Sequence, residues 1–115
     1  MQTVSAGEFC FLYSTFPDSV SAETAARALV SAKLAACVNV YPPMKSFYVW
    51  QGRLEDGPEV AAFFKLRASD IDAAIKALRP LHPYTVPCFL VLPFVAGNPD
   101  YLAWAREQTE RTATI

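Results

Sequence analysis

At 115 residues the chain has room for one domain and one core of ordinary size. Apolar residues make up 53% of it and charged residues 18%, below the usual charged share of about 25%, so the chain carries more apolar surface than a small domain readily hides. A net charge of −1 with ten Lys plus Arg lacks the basic face of an electrostatic nucleic-acid binder.

Cys10, Cys37 and Cys88 form no C-x-x-C pair and no zinc-ribbon spacing. An odd, sparse cysteine count fits a reducing compartment better than a disulfide framework. The first residues, MQTVSAGEF, have neither the basic nor the apolar region of a secretory signal. The uncharged stretch from Tyr84 to Pro99 is too short, and too broken by Pro87 and Pro93, to span a bilayer. The expectation is a soluble cytoplasmic protein without a membrane partner, one domain over 1–115 with an ordered core of about 8–108.

Glu8 to Phe16 reads as a strand with Phe9, Phe11 and Tyr13 on one side and Cys10, Leu12 and Ser14 on the other. Asp18 or Ser19 can cap a helix whose apolar positions Ala22, Ala25, Ala26, Leu29 and Val30 match the i, i+3, i+4, i+7, i+8 template. Ala35 to Gly52 is a long β-type segment interrupted at Pro42-Pro43, which requires a bend, bulge or edge there. Gln51-Gly52 and Asp56-Gly57 bracket the expected turn, and EVAAFFKLR (59–67) is the expected return strand. Gly52, Gly57 and Gly97 read as turn residues.

Ser69 is placed to cap a second helix with Ile71, Ala74, Ile75 and Leu78 on its face, ended near Arg79 by Pro80 and Pro83. CFLVLPFV (88–95) is the last strand expected, and Asn98-Pro99 an N-cap and first turn for a third helix through Tyr101, Trp104 and Ala105. The order β-α-β-β-α-β-α predicts an α+β chain of the ferredoxin-like βαββαβ arrangement with an extra C-terminal helix. Right-handed crossovers place the first two helices on one face of an antiparallel sheet and leave the other face bare. The last strand is apolar on both faces, and an exposed apolar face of that size marks a partner surface, most simply another copy of the chain.

KLAACVNVYPPMKSFYVWQGRLEDGPEV (33–60), HPYTVPCFLVLP (82–93) and GNPDYLAW (97–104) resemble the CutA family of divalent-cation tolerance proteins. The likeness runs from about Phe9 to Trp104, with its pieces in the family's order and spacing. It implies a ferredoxin-like protomer in a tight homotrimer of PII-like architecture, associated with copper and other divalent cations. In animals the family is also associated with anchoring of an acetylcholinesterase. No catalytic reaction is firmly attached to it.

The only histidine, His82, lies in HPYTVPC (82–88) with Cys88. Imidazole suits copper, zinc or nickel, and thiolate suits copper(I) and zinc. The competing reading is a rigid connector in which the imidazole caps carbonyls at a helix end. Cys37 is a third thiol whose plainer role is that of a small buried hydrophobe. Where many family members carry a glutamate after H-P-Y-x-x-P, this chain has Cys88, and it has Ser14 where some have a first-strand cysteine. With so few ligands per subunit, a tetrahedral site would need a neighbouring subunit or water.

Lys65 shares a strand face with Glu59, Ala61 and Phe63. It either snorkels to water or enters a cleft for an anion, which Tyr48, Trp50 and Tyr84 could line. Those aromatics equally serve as core or interface anchors. Leu66 replaces a threonine that the family has beside this lysine. No phosphate loop, nucleophile elbow or RNA-binding aromatic run is written here. Glu55, Asp56 and Glu59 read as a solvated turn, so no catalytic carboxylate pair is expected. The function expected is a non-enzymatic, homotrimeric divalent-metal protein, with copper or zinc as the ion and no organic cofactor. The alternatives are a PII-like module holding a small anionic effector between subunits, or a trimeric scaffold.

Overall fold

The computed structural model describes residues 4–111, so positions 1–3 and 112–115 of the expected domain lie outside it. In chain order the elements are β1 (Val4–Ser5), β2 (Phe9–Phe16), α1 (Ser19–Ser31), β3 (Cys37–Val40) and β4 (Met44–Trp50). There follow β5 (Arg53–Arg67), α2 (Ile71–Leu78), β6 (Leu90–Pro93), β7 (Ala96–Gly97) and α3 (Pro99–Gln108). The main sheet runs β3-β5-β2-β6, with β4 also paired to β5, and every pairing is antiparallel. β1 and β7 form a separate two-stranded ribbon. The main sheet with α1 and α2 is the ferredoxin-like βαββαβ unit, and α3 is the extra helix. No helix among the described residues is long and apolar enough to cross a membrane.

Alternation along β2 and β5 sorts the core. Cys10, Leu12, Phe16, Val60, Ala62, Phe64 and Leu66 are buried on the face that meets α1 and α2. From the helices, Ala22, Ala25, Leu29, Ala74 and Leu78 complete it, and each fully buried Leu or Phe stabilises by roughly 2–3 kcal/mol. Val30 lies outside this stripe and is exposed. The Asp18 carboxylate accepts the Ser21 N–H at 2.8 Å, which makes Asp18 the cap of α1.

Five expectations need correction. The hairpin turns on Gln51 and Gly52 alone, with φ of 51° and 79°. Two successive positive φ values match the twist of the flanking strands, so pairing resumes at once with Trp50 opposite Arg53. Asp56 and Gly57 are therefore strand residues opposite Phe47 and Ser46, and Gly97 lies in β7. Up to Glu59, β5 pairs with β4 alone, an edge setting that tolerates Pro58.

Nor is the second sheet face bare. Phe9, Ala36, Leu102 and Ala105 form a small core of their own with Phe94, so α3 covers one end of that face. Arg67 fastens the helix there, donating from Nε to Thr109 Oγ1 and from Nη2 to the Arg106 carbonyl, both at 2.8 Å. Ser69 makes no cap. Residues Ala68–Asp70 form a 3-10 turn, and the buried Asp70 carboxylate receives the Arg111 guanidinium at 2.7 and 3.0 Å. The last strand is shorter than expected and begins at Leu90, leaving Cys88 and Phe89 in the connector.

Candidate ligand cleft

The prolines of HPYTVPC end one element and delay the next. After α2 the chain makes a 3-10 turn at Arg79–Leu81, then runs without regular structure to Leu90. His82 points inward from this connector and is 8% exposed. Its Nε2 lies 2.9 Å from the Thr15 carbonyl and 3.2 Å from Ser14 Oγ. A carbonyl only accepts, so Nε2 carries the proton and donates it. The bare Nδ1 accepts the Tyr84 N–H at 3.2 Å. The ring stacks on Phe16 with centroids 4.5 Å apart. Burial pushes the imidazole below its usual range, against the Thr15 bond and the Glu59 charge, which pull it up.

His82 is thus a buried tie between the connector and β2. Ligating a metal through Nδ1 would forfeit the Tyr84 N–H bond. Among the described residues, no group of three or more His, Cys, Asp or Glu side chains could hold an ion. The described residues of one chain therefore supply no closed metal site.

On the sheet face away from α1 and α2, a cleft of about 700 Å³ opens between the β4–β5 hairpin and the connector. Tyr13 and Thr15 of β2, Ser46, Phe47, Tyr48 and Trp50 of β4, Glu59 of β5, and Tyr84 and Cys88 of the connector line it. The Tyr84 hydroxyl donates to Glu59 Oε2 at 2.8 Å. Burial, then that hydrogen bond and the Glu59 charge, push the Tyr84 phenol far up. Burial and then Glu59 also raise the Cys88 thiol, so it is not an activated nucleophile.

Of the residues expected at a site, Tyr48, Trp50, Tyr84 and Cys88 meet in this cleft, while Lys65 and Cys37 do not line it. Lys65 reaches α3 instead: Nζ donates to the Tyr101 hydroxyl at 3.4 Å and lies 5.4 Å from that ring's centre. Cys37 is half-buried on β3, opposite Lys65. Glu59 is the residue that sequence reasoning assigned to a solvated turn, and it belongs to the cleft. Its signal was the strand alternation that put it on one face with Ala61 and Phe63, once the turn is confined to Gln51-Gly52.

A family model described as CutA1 divalent ion tolerance protein matches residues 10–108. Protein CutA homolog of Xenopus laevis is 44% identical over 98 residues, 85% of this chain but only 65% of that protein's length. Divalent-cation tolerance protein CutA of Thermus thermophilus is 41% identical over 95 residues, 83% of this chain and 92% of its own. The solved structure of the Archaeoglobus fulgidus protein, described as a periplasmic divalent cation tolerance protein CutA, superimposes with a TM-score of 0.85 at 36% identity. It covers 89% of this chain and 99% of its own. The chain belongs to the CutA1 family of divalent ion tolerance proteins.

Proposed function

We propose that the protein serves divalent-cation tolerance as a non-enzymatic homotrimer that associates with a divalent ion, copper or zinc, in the cytoplasm. The observation that carries self-association is the β4–β5 hairpin. Val49 and Leu54 face each other across it and are 68% and 79% exposed, and Leu90 and Leu92 of the edge strand β6 are exposed as well. The projecting arm is part of why the radius of gyration is 15.5 Å where a compact chain of this length has about 13 Å. A protein that keeps such an arm in water gains by covering it with copies of itself. Three copies is the number that the family resemblance implies.

Association with an ion draws on the family's character as divalent ion tolerance proteins and on two donors at the cleft, the Cys88 thiol and the Glu59 carboxylate. Further ligands would come from a neighbouring copy or water. The raised thiol makes such binding proton-linked, weaker as the pH falls. A reducing compartment is supported by Cys10, Cys37 and Cys88, all unpaired. The anionic-effector alternative gains nothing from Lys65, which is held by Tyr101.

Native mass spectrometry of the full chain, titrated with copper(II) and zinc(II), tests both parts. A trimer that takes up metal, with uptake lost in Cys88→Ser, is the expected result. A monomer refutes the assembly, and a trimer that stays bare refutes the metal association.

A further inference from the structure

The cleft has a charge character of its own, whatever the fate of the metal reading. Its one ionisable carboxylate is Glu59, and no Lys, Arg or His side chain is among the residues lining it. None of the ion pairs among the described residues includes Glu59. The Tyr84 hydroxyl donates to Oε2 and thereby restrains the carboxylate at the cleft wall. Around it stand the rings of Tyr13, Phe47, Tyr48, Trp50 and Tyr84.

Aromatic faces carry negative potential and attract cations, most strongly when water is excluded. A fixed carboxylate with an aromatic surround is thus complementary to a positive group that also carries apolar surface. A hydrated divalent ion makes no use of the rings, and an anion meets repulsion from Glu59. The volume of about 700 Å³ falls within the range of small-molecule sites.

We propose that this cleft binds a small organic ammonium ion, with Glu59 as its counter-charge and Trp50 and Tyr48 as the aromatic walls. Tyr84 acts as a positioning residue, holding Glu59 by the 2.8 Å hydrogen bond. The site does not depend on the proposed association with metal, because rings and a single carboxylate suffice for it. Its proposed walls, Tyr48 and Trp50, lie on the hairpin face opposite Val49 and Leu54, and of the Val49 face only Phe47 is among the lining residues.

The test uses the full chain in EDTA, so that metal uptake plays no part in the outcome. Benzylammonium is titrated by calorimetry beside its neutral and anionic analogues, benzyl alcohol and benzoate. Benzylammonium is expected to bind saturably and roughly tenfold more tightly than benzyl alcohol, about 1.4 kcal/mol, with no binding of benzoate. Glu59→Gln keeps an acceptor for Tyr84, and so the fold, while removing the charge. It should erase the preference for the ammonium over the alcohol. Trp50→Ala should weaken the ammonium by a similar factor, and Lys65→Ala should leave it unchanged. Equal binding of the ammonium and the alcohol, tighter binding of benzoate, or an undiminished preference in a folded Glu59→Gln variant would each overturn the proposal. So would the failure of all three probes to bind.

Discussion

Replacing His82 by alanine separates a structural imidazole from a ligand-binding one. The ring makes a donor bond to Thr15 and an acceptor bond from Tyr84, and shares its proton with Ser14 Oγ. Two such bonds contribute about 1 kcal/mol each, and their removal leaves a buried carbonyl and N–H in search of partners. Losing the ring stacked on Phe16 adds a packing loss of about 1–2 kcal/mol. The variant should therefore be about 3–4 kcal/mol less stable, a large part of the total for a domain of this size. Urea unfolding followed by circular dichroism, at one fixed chain concentration because assembly shifts apparent stability, measures the difference. A loss under about 1 kcal/mol would refute the assignment of His82 as a core tie.

Stability should also depend on pH through the same ring. The unfolded imidazole titrates near 6.5, whereas burial holds the folded one lower, so in the interval between them the unfolded chain binds more protons. The contribution is complete above about pH 6.5 and fades as the pH falls through the folded value, with a limiting slope of about 1.4 kcal/mol per pH unit. Urea midpoints between pH 5 and 7.5 should show that slope in the natural chain and lose it in His82→Asn; identical profiles would contradict it. Gly52→Ala places a Cβ at φ 79° with nothing within 4 Å, so only backbone strain opposes it, and a cost of about 1 kcal/mol is expected from the same unfolding experiment. Asp18→Ala removes the cap bond to Ser21 and should lower the urea midpoint, with Asp18→Asn recovering most of the loss. An unchanged midpoint in Asp18→Ala would mean that the cap is not used.

The candidate site was half legible before the fold. Tyr48, Trp50, Tyr84 and Cys88 were singled out as residue types able to line a cleft or bind an ion, and they share one. Glu59 was misassigned because Asp56-Gly57 resembles a turn in composition, while the paired strand continues through it. Lys65 was given the right sheet face, but a face does not say what covers it.

What the chain's own order determined is local. The Asp18 cap, the helical spacing from Ala22 to Leu29 and the alternation along β2 and β5 depend on neighbours within about four residues, so they could be read directly. Tertiary structure decided the rest. Tyr84 meets Glu59 across 25 residues of chain, Lys65 meets Tyr101 across 36, and His82 reaches Thr15 across 67. Such partners are chosen by which elements pack together and at what register, and no local preference encodes that choice. HPYTVPC therefore announced a break in the chain from its prolines alone. Only the packed fold turned its histidine into the core and its tyrosine and cysteine toward the cleft.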